Sequence, residues 1–134
     1  MENTIGSTFV PLSDLSKSSS HLRGLVATVQ SGEPICLLDL VTYQDGAIVS
    51  RTLSNQKNGS ITLFSFDEGQ KLSEHTSPFD AFVQILEGNA EITISGKRFS
   101  AGRGELVVLP ANQPHALNAP TRFKMLLTMI RSMT

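Results

Sequence analysis

His21, His75 and His115, with the single cysteine Cys36, are the side chains of this 134-residue sequence best suited to metal or proton chemistry. A neutral imidazole binds Zn, Mn, Fe or Ni through one ring nitrogen, and near its ordinary pKa it acts as general acid or base. Metal sites ordinarily take at least three protein ligands, so His75 and His115 need a third, and Glu74, Asp80 and Gln84 are the nearest candidates. One cysteine excludes an internal disulfide framework and any multi-thiolate site, which fits a reducing cytoplasm; in its apolar setting Cys36 reads as a buried thiol. Ser77, His75 and Asp80 lie close in sequence, but no Gly-x-Ser-x-Gly elbow surrounds Ser77, so Ser–His–Asp catalysis is discounted.

The elements that must position these groups are mostly strands. Short runs rich in Val, Ile, Thr and Phe cover residues 35–40, 47–53, 61–66, 81–86, 90–95, 106–109 and 122–131, with 97–101 as the hairpin partner of 90–95. Turn signals at Asp45-Gly46, Asn58-Gly59, Ser95-Gly96-Lys97 and Gly102-Arg103-Gly104 offer the positive φ of tight turns, and Gly88 lets the chain turn ahead of Asn89. Many short strands with no helix between them imply an all-β barrel or sandwich. Upstream, Leu22, Leu25, Val26 and Val29 recur at helical spacing, so a short amphipathic helix is expected over His21–Gln30, with His21 on its surface. Residues 1–20 are polar and serine-rich and read as a mobile or surface-wrapped tail. The expected division is an extension over 1–34 and a barrel over 35–134. Alternation puts Ala81, Val83 and Ile85 on one face and Asp80, Phe82 and Gln84 on the other, unless a bulge at Ser77-Pro78 reverses the parity.

Two spaced patterns sit on this strand framework. Gly69, His75, Ser77, Ala81 and Gly88 are separated by five, one, three and six residues; Gly104, Pro110, Asn112 and His115 are separated by five, one and two. The first resembles the first motif of the cupins and the second resembles their second motif, with fifteen residues between Gly88 and Gly104 as in compact single-domain members. The resemblance implies a double-stranded β-helix, or jelly-roll, barrel. It also implies a divalent metal held by four ligands, of which this sequence keeps His75 and His115. Ser77 stands in place of a second histidine and Ala81 in place of a carboxylate or amide. Asn112 stands where a glycine is usual, and Ala119 where the closing asparagine belongs.

Composition narrows the partners. With 11 basic and 12 acidic residues and no block of either sign, the formal charge of −1 offers nothing to a nucleic acid or an anionic membrane. The first residues read as no secretory signal, and no stretch approaches the roughly 18 apolar residues of a membrane span. The function expected is binding of a small molecule in a pocket lined by His75, Ser77, Ala81, Val83, His115 and Met125. Met125, Leu127 and Met129 alternate on the last strand, as a plastic apolar wall or as ordinary core. The alternative is a metal-dependent enzyme, an oxygenase or isomerase acting on a small organic acid or sugar, with one Mn, Fe, Ni or Zn on His75 and His115. Uncovered sheet edges and faces point to a homodimer.

Overall fold

The computed structural model describes residues 32–132. Eight antiparallel strands follow in order: β1 (Ile48–Gln56), β2 (Gly59–Phe66), β3 (Lys71–His75), β4 (Phe79–Ile94), β5 (Lys97–Gly102), β6 (Leu106–Leu109), β7 (His115–Asn118) and β8 (Phe123–Arg131). They form one curled sheet, the all-β jelly-roll barrel expected. β4 belongs to both halves of it. Its first part, Phe79 to Gly88, pairs with β8 and with β6; its second, Asn89 to Ile94, pairs with β5 and β7. β1 and β2 extend the first half beyond β8, and β3 extends the second beyond β7.

This corner corrects the expected turn at Gly88. The runs at 81–86 and 90–95 are one continuous strand, bent at a register shift between Ile85 and Glu87. The bulge has a packing reason. Ahead of it the odd residues Phe79, Ala81, Val83 and Ile85 are buried; beyond it the even residues Ala90 and Ile92 are, so the extra residue keeps the apolar stripe inward through the bend. Gly88 adopts φ +78, and a Cβ there would collide with the Arg122 carbonyl and lie 2.9 Å from the Phe123 Cα. Only glycine satisfies both demands.

Alternation holds elsewhere as read. Ile48, Phe64, Phe66, Leu72, Leu109, Leu117, Phe123, Met125, Leu127 and Met129 join the β4 stripe in one buried cluster, each large side chain contributing about 1.5–3 kcal/mol. Phe66 stacks on Phe123 with ring centroids 4.3 Å apart. Asp80, Phe82 and Gln84 point outward, so no bulge reverses the parity at Ser77-Pro78.

Three further expectations change. Residues 35–40 are not a strand: Leu37–Asp39 form a 3-10 turn in a strap across the outer face of the barrel. The strap is held by its own carbonyls, which accept from Arg51 Nη1 at Leu40 (3.0 Å), Ser65 Oγ at Thr42 (2.8 Å) and Lys124 Nζ at Leu38 (2.8 Å). Cys36, at its edge, is therefore exposed rather than buried. Positive φ occurs at Gly46, Ser95, Gly96 and Gly104 as expected but not at Gly59, whose missing side chain instead admits the Met129 carbonyl. β3 and β7, the two strands that carry the histidines, were not anticipated. The helix expected over His21–Gln30 and the tail over 1–20 lie outside the described residues.

Candidate functional site

His75 closes β3 and His115 opens β7, and the antiparallel register sets them directly opposite each other after a shift between Leu72 and His75. Main-chain bonds fix this pairing at both ends. Gly69 N–H donates to Ala119 O (2.8 Å) and Ala119 N–H to Gln70 O (2.9 Å); nearer the histidines, Asn112 N–H donates to Ser77 O (2.7 Å) and Ser95 N–H to Pro114 O (2.8 Å). Asn112 reaches its bond from φ +64, a left-handed conformation that asparagine tolerates better than most side chains. That accounts for its standing where the resemblance expects glycine.

The two imidazoles meet edge to face, with centroids 4.5 Å apart and planes inclined by 72°. Each ring is oriented by its own strand. His75 Nδ1 lies 2.6 Å from Ser73 O, and His115 Nδ1 lies 3.2 Å from Gln113 O. A carbonyl only accepts, so each Nδ1 carries the hydrogen, and in the neutral ring Nε2 is left with its lone pair. Both Nε2 atoms are buried without a hydrogen-bond partner among the described residues. Burial, reinforced by the neighbouring His75, lowers the pKa of His115 to about 4, so this ring is neutral at physiological pH.

The remaining residues of the expected pocket divide into two groups. Ala81, Val83 and Met125 lie on the inward face of the other half of the barrel, within the buried apolar cluster. Ser77 is buried in the β3–β4 turn, where its hydroxyl accepts from Phe79 N–H at 3.1 Å. Sequence reasoning missed a third group: Ser50, Thr52 and Thr62, all buried, with the two threonine hydroxyls 3.4 Å apart. They share strand parity with Ile48 and Phe64 of the core, so alternation from those two apolar residues was the signal that could have found them.

None of the candidate third ligands joins the imidazoles. Glu74 and Gln84 are exposed, and Asp80 turns outward to accept Ala111 N–H at 2.9 Å. Among the described residues no three histidine, cysteine or carboxylate side chains come together as a metal site would need. The four-ligand metal implied by the resemblance therefore does not fit the donors present, which are two neutral nitrogens.

Residues 62–130 match the family model described as Cupin domain. Among solved structures, the chain is similar to a conserved protein of unknown function from Streptococcus pyogenes, at 38% identity over 79% of this chain and 93% of that one, with a TM-score of 0.75. A cupin superfamily protein from Desulfitobacterium hafniense matches at 28% identity over 78% and 95% of the two chains, TM-score 0.73. A Cupin 2 conserved barrel domain protein from Leptotrichia buccalis matches at 41% identity and TM-score 0.69; the match covers 70% of this chain and 46% of that longer one. No curated protein matches. Among the described residues, no helix is long and apolar enough to cross a membrane.

Proposed function

This chain belongs to the cupin family, and from that premise we propose that it is a small-molecule-binding cupin whose ligand sits inside the barrel against His75 and His115. The family hosts many unrelated activities, so the argument rests on the interior and not on the fold. One observation carries it: two adjacent, buried Nε2 atoms without partners among the described residues. Each buried acceptor left unmade costs about 1–3 kcal/mol, which a ligand supplying hydrogens would recover. Ala81, Val83 and Met125, inward on the other half of the barrel, are the apolar side chains such a ligand would meet beyond the pair.

Native mass spectrometry of untagged protein tests the reading. A small-molecule adduct that disappears in the His75→Ala, His115→Ala double variant is the expected result. Stoichiometric Mn, Fe, Ni or Zn lost in the same variant would instead support a metal-dependent enzyme acting on a small organic acid or sugar. Metal-binding histidines commonly donate their other nitrogen to a carbonyl in the same way, but having only two protein ligands among the described residues stands against that rival. The proposal includes a cytoplasmic homodimer. Ile61, Leu106, Val108 and Ile130 are exposed on one outer face beside Phe82, an apolar surface that a second copy would cover. Light scattering that reports a monomer at micromolar concentration removes the dimer.

A further inference from the structure

We infer that the interior selects an uncharged ligand whose head group donates two hydrogens, such as a primary carboxamide, and that it turns away carboxylates and ammonium ions alike. This inference rests on the binding reading above and narrows it to a ligand class.

The hydrogen count comes first. Both Nδ1 hydrogens are committed to the carbonyls of Ser73 and Gln113, so what the rings offer each other's neighbourhood is two lone pairs. With centroids only 4.5 Å apart, the two rings fall within the span of one small head group. Such a group must bring a hydrogen for each; a carboxylate brings none.

Charge then excludes the other candidates. An ion taken out of water needs a counter-charge, and the lining provides none. The buried polar side chains among the described residues are hydroxyls, the His115 imidazole and Lys124. Lys124 is no partner for an anion inside the barrel, because it lies on the opposite face of β8 from Met125, with its ammonium on Leu38 O of the strap and over the Tyr43 ring. An ammonium ligand fares no better. Glu74 and Gln84 are exposed and Asp80 is turned outward onto Ala111, so none of the three faces the rings. The other interior polar groups, Ser50, Thr52 and Thr62, are neutral and suit a neutral ligand.

Three probes of equal length separate these cases: butyramide, butyrate and n-butylammonium, each titrated at neutral pH into the full 15N-labelled chain while the histidine ring nitrogens are followed by long-range 1H–15N correlation. Before any addition, both rings should show protonated Nδ1 and bare Nε2; the opposite tautomer in either ring overturns the inference at its root. Butyramide should then shift both Nε2 resonances and bind at least about tenfold more tightly than either ion, the value of a hydrogen bond or two. His115→Phe and His75→Phe should each weaken it, and if either variant fails to fold, the titration of the unaltered chain decides. Butyrate or butylammonium binding as tightly as butyramide, with both Nε2 resonances moved, overturns the charge rule and leaves the binding site standing. If no probe moves either resonance up to its solubility limit, the inference falls and the binding reading falls with it.

Discussion

Two polar clusters of this barrel can be set side by side: the one beneath the strap and the imidazole pair inside. Beneath the strap, Arg122 donates to Asp67 and to Asp45, both at 2.8 Å, and Asp67 also accepts Gly46 N–H at 2.7 Å. The Tyr43 hydroxyl donates to Glu87 at 2.6 Å, and Arg122 and Lys124 each sit 5.1 Å from the Tyr43 ring centroid. The shifts follow from these contacts. Arg122 holds the Asp67 carboxyl below its ordinary value, while burial and then Glu87 push the Tyr43 phenol above its own. Each charged group there has a partner, Arg122 two carboxylates, Glu87 a phenol and Lys124 a carbonyl, and the cluster fastens the strap to the barrel. Inside, two ring nitrogens have no partner among the described residues. Polar groups satisfied within the chain hold a structure together; polar groups left unsatisfied within reach of each other mark where something else is meant to bind.

The comparison breaks most completely at Gly88, which touches Arg122 and Phe123 and turns β4 from one half of the barrel to the other. Gly88→Ala forces a side chain into left-handed backbone and against a carbonyl, and should lower stability by about 3 kcal/mol or more, disturbing both clusters, as denaturant titration would measure.

Acid separates the two regions next. His115 titrates near 4 in the folded chain and near 6.5 when unfolded, so between these values the unfolded state binds more protons and stability rises with pH. The contribution is complete above about 6.5 and is lost as pH falls toward about 4, on the order of 1–3 kcal/mol in urea midpoints converted to free energy. In His115→Phe that slope should flatten, with stability at neutral pH changed by less than about 1 kcal/mol, because a buried acceptor without a partner is exchanged for an apolar ring. A large loss at neutral pH would mean that the imidazole is structural and would erase the contrast.

The smallest effect belongs to the strap. Tyr43→Phe removes one hydrogen bond to Glu87 at a half-buried position and should cost about 1 kcal/mol in thermal or urea unfolding, without altering the ring-nitrogen resonances of the histidines.

The fold was legible in the sequence because period-two alternation survives in β1, β4 and β8, where one face is core. β3 and β7 were not, for a physical reason: each is short, and a histidine occupies the inward position where an apolar residue would have marked a strand. The residues 35–40 looked like a strand because Ile35, Leu37, Leu38 and Leu40 are apolar, yet their carbonyls serve side chains of the sheet instead of a neighbouring strand. Gly88 read as a turn because positive φ is common to turns and to bends inside a strand, and sequence does not distinguish them. Of the candidate site, the pairing of His75 with His115 and the inward Ala81, Val83 and Met125 followed from motif spacing and alternation. The direction of the ring hydrogens did not, since it depends on the carbonyls of Ser73 and Gln113, and no side chain announces where a carbonyl points.

The bond from Asn112 N–H to Ser77 O joins the two histidine-bearing stretches through main-chain atoms alone. Alignment of the rings is in that respect indifferent to which side chains occupy positions 77 and 112, provided the backbone there can take up the same angles. On the proposed binding role, a lineage carrying this barrel could therefore retune what its interior accepts by single substitutions at the lining while the imidazoles stay in place, so that new selectivity would arise without a new architecture.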